Sequence, residues 1–172
     1  GVENSNYFVE TTAGRFILTL FEKRANPAEL PYFLNLMTHL HRKGVVCPQT
    51  VAAADGAPLR GLNGKKACLT TFLNGASVFD VTPEHCAQLG TAMARLHLAG
   101  ADYAGFRKND LSVGGWGVLL DKIGAAADTV ETGLAAEMAA DYADIAAKFP
   151  SGLPQGVIHA DLFPDNVFFE NG

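Results

Sequence analysis

Near the C-terminal end of the chain, His159, Asp161, Asp165 and Asn166 stand in a polar stretch between two apolar runs, Val157-Ile158 and Val167-Phe168-Phe169. The step of five from Asp161 to Asn166 sets a carboxylate and a neutral amide oxygen on one loop. Phosphoryl transfer asks for such a pair: a carboxylate orients and deprotonates the attacking hydroxyl, and oxygen ligands hold the magnesium that neutralises the phosphates. Asp161 is thus the candidate general base and Asn166 the candidate metal ligand. His159 suits a brace for the loop better than a proton carrier. The pattern predicts strand, loop, strand, with the chemistry displayed on the loop. A plainer alternative is a connecting turn in which Asp165-Asn166 makes an Asx turn.

Two further stretches have the residue types a nucleotide needs. Gly1-Val2-Glu3-Asn4-Ser5-Asn6-Tyr7 reads as a polar loop ahead of a strand. Gly1, Asn4, Ser5 and Asn6 there can offer backbone N–H groups to phosphates, as Gly-rich loops do, although an ordinary surface loop has the same composition. Thr71, Phe72 and Leu73 end a strand where sheet gives way to helix, and a strand at a domain interface can present backbone donors and acceptors to an adenine edge. The alternative is a plain connecting segment. Trp116 beside Gly114-Gly115 suits either the floor of a substrate pocket or the core. His39, His41, His85 and His97 are spaced for surface or helix-end positions, not for a metal site.

The elements that must position these residues follow from periodicity. Residues 6–10 and 15–21 are β-rich and separated by a hairpin-like Thr-Thr-Ala-Gly. Asn26 with Pro27 and Glu29 reads as a helix start, Pro31 being the alternative, and Leu30, Phe33, Leu34, Met37 and Leu40 recur at helical steps before Gly44. A Pro-interrupted edge strand is expected over 45–54, a turn at Asp55-Gly56 and a firmer strand over 65–73. From about residue 78 the composition turns Ala-rich. Thr82-Pro83 opens a helix with Cys86, Leu89, Met93 and Leu96 on a stripe expected to be buried, residues 102–117 read as irregular, and a long helix follows Thr129 or Glu131. The reading is an α+β fold of two lobes, an N-terminal antiparallel sheet with one helix over 1–75 and a mainly helical part over 76–172.

Composition narrows the partners. The 172 residues carry a net charge of −5 with no basic run beyond pairs such as Lys65-Lys66, which gives no footprint for nucleic acid or an anionic membrane. Cys47, Cys68 and Cys86 are odd in number and lack Cys-x-x-Cys spacing, so a reducing cytoplasm is expected. No apolar run reaches the roughly 18 residues of a membrane span. Because the chain opens on Gly1 and stops just after a strand-like run, a fragment of a longer protein is expected.

The pattern His-x-Asp-x-x-x-x-Asn at 159–166 resembles the catalytic loop of the kinase-like aminoglycoside phosphotransferase family. Within it, the stretches Gly-Val-Glu-Asn-Ser-Asn-Tyr-Phe at 1–8, Ile-Leu-Thr-Leu-Phe-Glu-Lys-Arg at 17–24 and Leu-Ser-Val-Gly-Gly-Trp at 111–116 are similar to the bacterial type II homoserine kinases. That resemblance implies ATP and Mg2+ as cofactors and L-homoserine as the small-molecule substrate, in threonine biosynthesis. It also implies Asp161 as base, Asn166 as magnesium ligand and residues 1–6 as the loop over the phosphates. Arg107, with Lys108, becomes a candidate partner for the substrate carboxylate. Other small-molecule kinases of the family and a non-catalytic, pseudokinase-like module are the alternatives. Two departures stand out. Thr19 occupies the strand position where relatives carry a phosphate-pairing lysine, Lys23 lying about 13 Å further on at about 3.3 Å per residue, with Glu29 the nearest acid to partner it. The Ile-Asp-Phe strand that completes the metal site in relatives would lie beyond Gly172, so these residues alone are expected to be poor catalysts.

Overall fold

The computed structural model describes residues 4–22 and 26–170. Gly1 and Lys23 lie outside the described residues. The chain forms two compact units, one of residues 1–106 and 156–172, the other of residues 107–155.

The first unit is built on an antiparallel sheet. Strand β1 (Asn4–Thr11) pairs along its whole length with β2 (Gly14–Phe21) across a tight turn, and Thr11 Oγ1 donates to the Gly14 carbonyl there. Asn4, Ser5 and Asn6 therefore belong to the strand and not to a loop before it. Their low β propensity is outweighed by pairing with Phe21, Leu20 and Thr19. β2 pairs next with β5 (Lys65–Thr71), whose other side takes β3 (Thr50–Val51) and β4 (Arg60–Leu62). Asn6, Thr19 and Cys68 consequently form one cross-strand row, and Phe8, Ile17 and Thr70 the next, on the same face.

The edge strand expected over 45–54 shrinks to Thr50–Val51. Pro48 has no N–H to give, and beyond Val51 the chain turns back on itself, with Gly56 N–H on the Ala53 carbonyl and Asp55 Oδ1 accepting from Ala57. β4, absent from the sequence reading, is joined to β5 by Asn63 and Gly64, both at positive φ (50° and 75°), which suits the twist of a two-residue hairpin.

Helix α1 (Leu30–Arg42) starts at Leu30 with Pro31 in its first turn, not at Asn26. The Asn26 carboxamide oxygen accepts from the Ala28 N–H and shapes the turn ahead of the helix. At the far end Gly44 adopts φ +83°, the Val45 N–H reaches the Leu40 carbonyl and the Gly44 N–H reaches His41, a Schellman closure. Leu30, Leu34 and Leu40 are buried together with Ala67, Cys68 and Thr70 of β5 and make the core of this unit, while Phe33 is exposed. Helix α2 (Pro83–Gly100) is capped by Thr82, with His85 filling the reciprocal role usual for Glu or Gln: its Nδ1 accepts from the Thr82 N–H at 3.1 Å. Its expected apolar stripe is only half-buried at Leu89, Met93 and Leu96, and Cys86 is exposed.

The second unit holds α3 (Val113–Ile123), a 3-10 helix at Gly124–Thr129 and α4 (Leu134–Lys148). Gly114-Gly115-Trp116, read from sequence as irregular, is the first turn of α3. Packing demands glycine at Gly115, where a Cβ would sit 1.8 Å from the Asp110 carbonyl oxygen; Gly114 faces open space, and a Cβ on Gly117 would meet the Tyr142 side chain of α4, 2.6 Å from its hydroxyl. Close approach thus overrides a helix-propensity penalty of about 1 kcal/mol per glycine. α4 begins two to four residues later than expected, behind Gly133 at φ +88°, and Asp128 of the 3-10 helix caps it by accepting from the Ala135 N–H.

Candidate active site

The strand-loop-strand expected over 157–169 is realised as an extended, irregular segment, a 3-10 turn (Pro164–Asn166) and a single bridge. A strand needs a neighbour, and among the described residues only Phe169 finds one: it exchanges two 3.0 Å backbone hydrogen bonds with Ala76. Gly75 permits this approach. It sits at φ +123°, and a Cβ on it would come 2.9 Å from the Phe169 carbonyl oxygen. The Phe169 ring also meets His85 edge-on at 4.7 Å, so the start of α2 backs the end of the loop.

Within the loop, Ala160 takes a left-handed conformation at φ +65°, uncommon outside glycine and costing on the order of 1 kcal/mol, immediately before Asp161. The Asn166 amide nitrogen donates to both the Asp161 backbone carbonyl (3.0 Å) and its carboxylate Oδ2 (2.9 Å). The two residues singled out by spacing are therefore in direct contact. Bonded through its nitrogen, Asn166 keeps its carboxamide oxygen, and Asp161 keeps Oδ1, without a hydrogen bond from any described residue. His159 Nδ1 accepts from the Asp161 N–H at 3.4 Å, the contact of a brace.

The same unit brings the end of β5 beside this loop. Thr71, Phe72 and Leu73 lead directly into the Gly75-Ala76 segment that pairs with Phe169. Thr71 is tied to Gln49 by its hydroxyl and its N–H. Phe72 is edge-on to Phe8 at 5.3 Å, the Arg15 guanidinium lies 5.0 Å above its ring, and Arg15 also donates to Asn74 Oδ1 at 2.8 Å. Leu73 is exposed.

Along β1, alternation splits the candidates between two faces. Asn6 Oδ1 accepts from the Thr19 hydroxyl at 2.8 Å, on the face shared with Phe8 and Ile17. Asn4 Oδ1 is buried with no partner among the described residues. Ser5 points the other way and donates to Glu22 at 2.8 Å; Lys65 bonds the second oxygen of Glu22 at 2.5 Å. The Lys65 bond, aided by Ser5, holds the Glu22 carboxyl below the usual range. Arg107 and Trp116 belong to the second unit, where Arg107 donates to the Lys108 carbonyl and the Trp116 ring is edge-on to Phe149 at 6.2 Å.

The donor set can be tested against magnesium. Among the described residues no three His, Cys, Asp or Glu side chains converge as a metal centre. Asn166 and Asp161 supply hard oxygen atoms of the kind magnesium takes when one or two side chains and substrate phosphates share its shell. They fit as part of such a shell. No helix among the described residues is long and apolar enough to cross a membrane.

The comparisons with known proteins agree with one another. A homoserine kinase of Xanthobacter autotrophicus is 55% identical over 169 residues, which are 98% of this chain and 53% of that protein. Homoserine kinases of Mesorhizobium japonicum and Rhodospirillum rubrum are 53% and 54% identical, again over 98% of this chain and 53% of theirs. The chain thus spans about half the length of the curated relatives it matches. A crystal structure of an aminoglycoside phosphotransferase from Alicyclobacillus acidocaldarius superposes with a TM-score of 0.51 at 16% identity, covering 84% of this chain and 49% of that one, which speaks for the fold alone. The phosphotransferase enzyme family model, abbreviated APH, matches residues 1–172, and the chain belongs to that family.

Proposed function

We propose that this chain carries the nucleotide-binding sheet and catalytic loop of a kinase that transfers the γ-phosphoryl group of ATP to the hydroxyl of L-homoserine. The observation that carries the reading is the Asp161–Asn166 contact: one carboxylate oxygen is held by the amide and the other is left for an incoming hydroxyl. In the reaction the homoserine oxygen bonds to the γ-phosphorus, the bond from that phosphorus to the ADP oxygen breaks, and the hydroxyl proton passes to Asp161. Magnesium, when bound through the Asn166 carboxamide oxygen, neutralises phosphate charge. Asn166 keeps the Asp161 carboxylate oriented, and His159 holds the Asp161 backbone N–H.

The remaining assignments are part of the same proposal. Gly1, Asn4, Ser5 and Asn6 are assigned to the nucleotide phosphates, Thr71, Phe72 and Leu73 to the adenine, and Arg107 and Trp116 to the amino-acid substrate. The lobes divide near residue 75. Three unpaired cysteines suit a reducing cytoplasm.

The test is turnover by the complete protein in which this chain occurs, with homoserine, choline and kanamycin assayed in parallel. Homoserine is expected to be the preferred acceptor, and Asp161→Asn to lower kcat by about 10²–10⁴-fold. Preference for another acceptor would replace the substrate, and unchanged turnover in Asp161→Asn would remove the base from its role.

A further inference from the structure

Residues 99–103, at the end of α2, are bonded on two sides. Toward α1 they make contacts spread over most of that helix. The Tyr103 hydroxyl donates to the Tyr32 carbonyl at 2.9 Å, and the Tyr103 ring rests against Tyr32 at 5.6 Å and His39 at 5.2 Å. His39 Nε2 lies 2.9 Å from the Ala99 carbonyl and 3.1 Å from Asp102 Oδ1, and Lys43 donates to Asp102 Oδ2 at 2.6 Å. Toward the catalytic loop, buried Gly100 faces Val157 so closely that a Cβ on it would lie 3.0 Å from the valine Cβ. Val157 is four residues before Asp161.

We infer that Asp102 and Tyr103 are positioning residues: the 99–103 knuckle fixes the Asp161 loop relative to α1 and, through α1, to strand β3 of the sheet, which α1 contacts. The kinetic part of this inference rests on the phosphotransfer reading above; the mechanical part does not. Neither residue reaches Asp161, so their effect is on placement. Asp102 is largely exposed (61%), and exposed ion pairs add little to stability. Misplacement of a reacting group by about 1 Å is far more damaging, costing up to roughly a hundredfold in rate. A positioning role therefore predicts a loss in turnover out of proportion to any loss in stability.

The experiment compares Asp102→Asn, Asp102→Glu and Tyr103→Phe with wild type in the complete protein. It measures kcat, both KM values, the urea midpoint, and amide exchange at Asn166, Val167 and Phe169, whose N–H groups are hydrogen-bonded. Expected for Asp102→Asn is a kcat lower by roughly tenfold, both KM values within about twofold and a nearly unchanged midpoint. Exchange should be faster at the three loop amides but not across β1 and β2, and Asp102→Glu should restore most of the turnover. Tyr103→Phe should move the same loop amides in the same direction. Unchanged loop exchange in both Asp102→Asn and Tyr103→Phe overturns the coupling, as does loosening shared equally by β1 and β2. If the loop amides respond but homoserine is not phosphorylated by the unaltered protein, the coupling stands and the reaction assignment falls.

Discussion

Replacing Gly75 by Ala probes the junction between the end of β5 and the catalytic loop. At φ +123° an L-residue is strained by about 1–3 kcal/mol. The new Cβ would also sit 2.9 Å from a backbone oxygen, which cannot swing aside as a side-chain tip does. Relief requires Phe169 to draw back and give up its two bonds to Ala76, each worth about 0.5–1.5 kcal/mol. The lower entropy of the unfolded alanine chain returns about 0.4–1 kcal/mol. With each contribution near the middle of its range the net cost is about 2–4 kcal/mol, felt as local opening. Exchange at the Ala76 and Phe169 amides should then quicken by roughly 30- to 700-fold, since about 1.4 kcal/mol is tenfold, and kcat should fall with it because Asn166 loses the fixed end of its turn. Gly90→Ala is the control. Apart from the helix's own backbone and its chain neighbours, no atom of the described residues lies within 4 Å of its new Cβ in the middle of α2, so it should raise stability by about 0.5–1 kcal/mol. Wild-type exchange at Ala76 and Phe169 in the Gly75 variant would refute the assignment of that glycine.

Gly115→Ala should destabilise the second unit by at least about 2 kcal/mol, because α3 must move off the Asp110 carbonyl; a urea midpoint equal to wild type would contradict the packing described. Asp102 has its folded pKa held down chiefly by the Lys43 hydrogen bond. Its contribution to stability is therefore present above the ordinary aspartate value near 3.9 and lost as pH falls through the lower folded value. The stability gap between wild type and Asp102→Asn, already small near neutral pH because the pair is exposed, should shrink further between pH 6 and pH 3, and a gap that widens on acidification would reverse the sign of that argument. Ala160→Val places a β-branched residue at φ +65° and should cost more than Ala160→Gly, which relieves the strain and should fold at least as well as wild type by thermal melting.

Local signals carried much of the fold. The β-rich run at 15–21 and a turn-forming Thr-Thr-Ala-Gly suffice for the first hairpin, and Thr82-Pro83 marks the start of α2 to the residue. The spacing of Asp161 and Asn166 was enough to find two side chains that touch. What escaped notice depends on contacts distant in sequence. Gly114-Gly115 looks like loop until Asp110 is seen beneath it, β4 has only three residues and no alternation to betray it, and Asn4–Asn6 look like loop until paired with β2. Asn63-Gly64 was the one overlooked local cue, a dipeptide that favours hairpins and could have found β4. The Ala76–Phe169 bridge, the His85 ring behind it and the knuckle at 99–103 leave no periodic trace, because each joins segments remote along the chain.

The Gly100–Val157 contact closes a circuit of 57 residues, 157 minus 100, around the whole second unit. Bringing together the ends of a flexible chain of that length costs about 3.6 kcal/mol in the length-dependent part of loop entropy alone, from (3/2)RT ln n. If residues 107–155 collapse first, the circuit they leave to be closed is shorter and the cost drops. Order of assembly then becomes a property of the site: the segment bearing Asp161 gains its place against α2 most cheaply after the excursion that precedes it has folded.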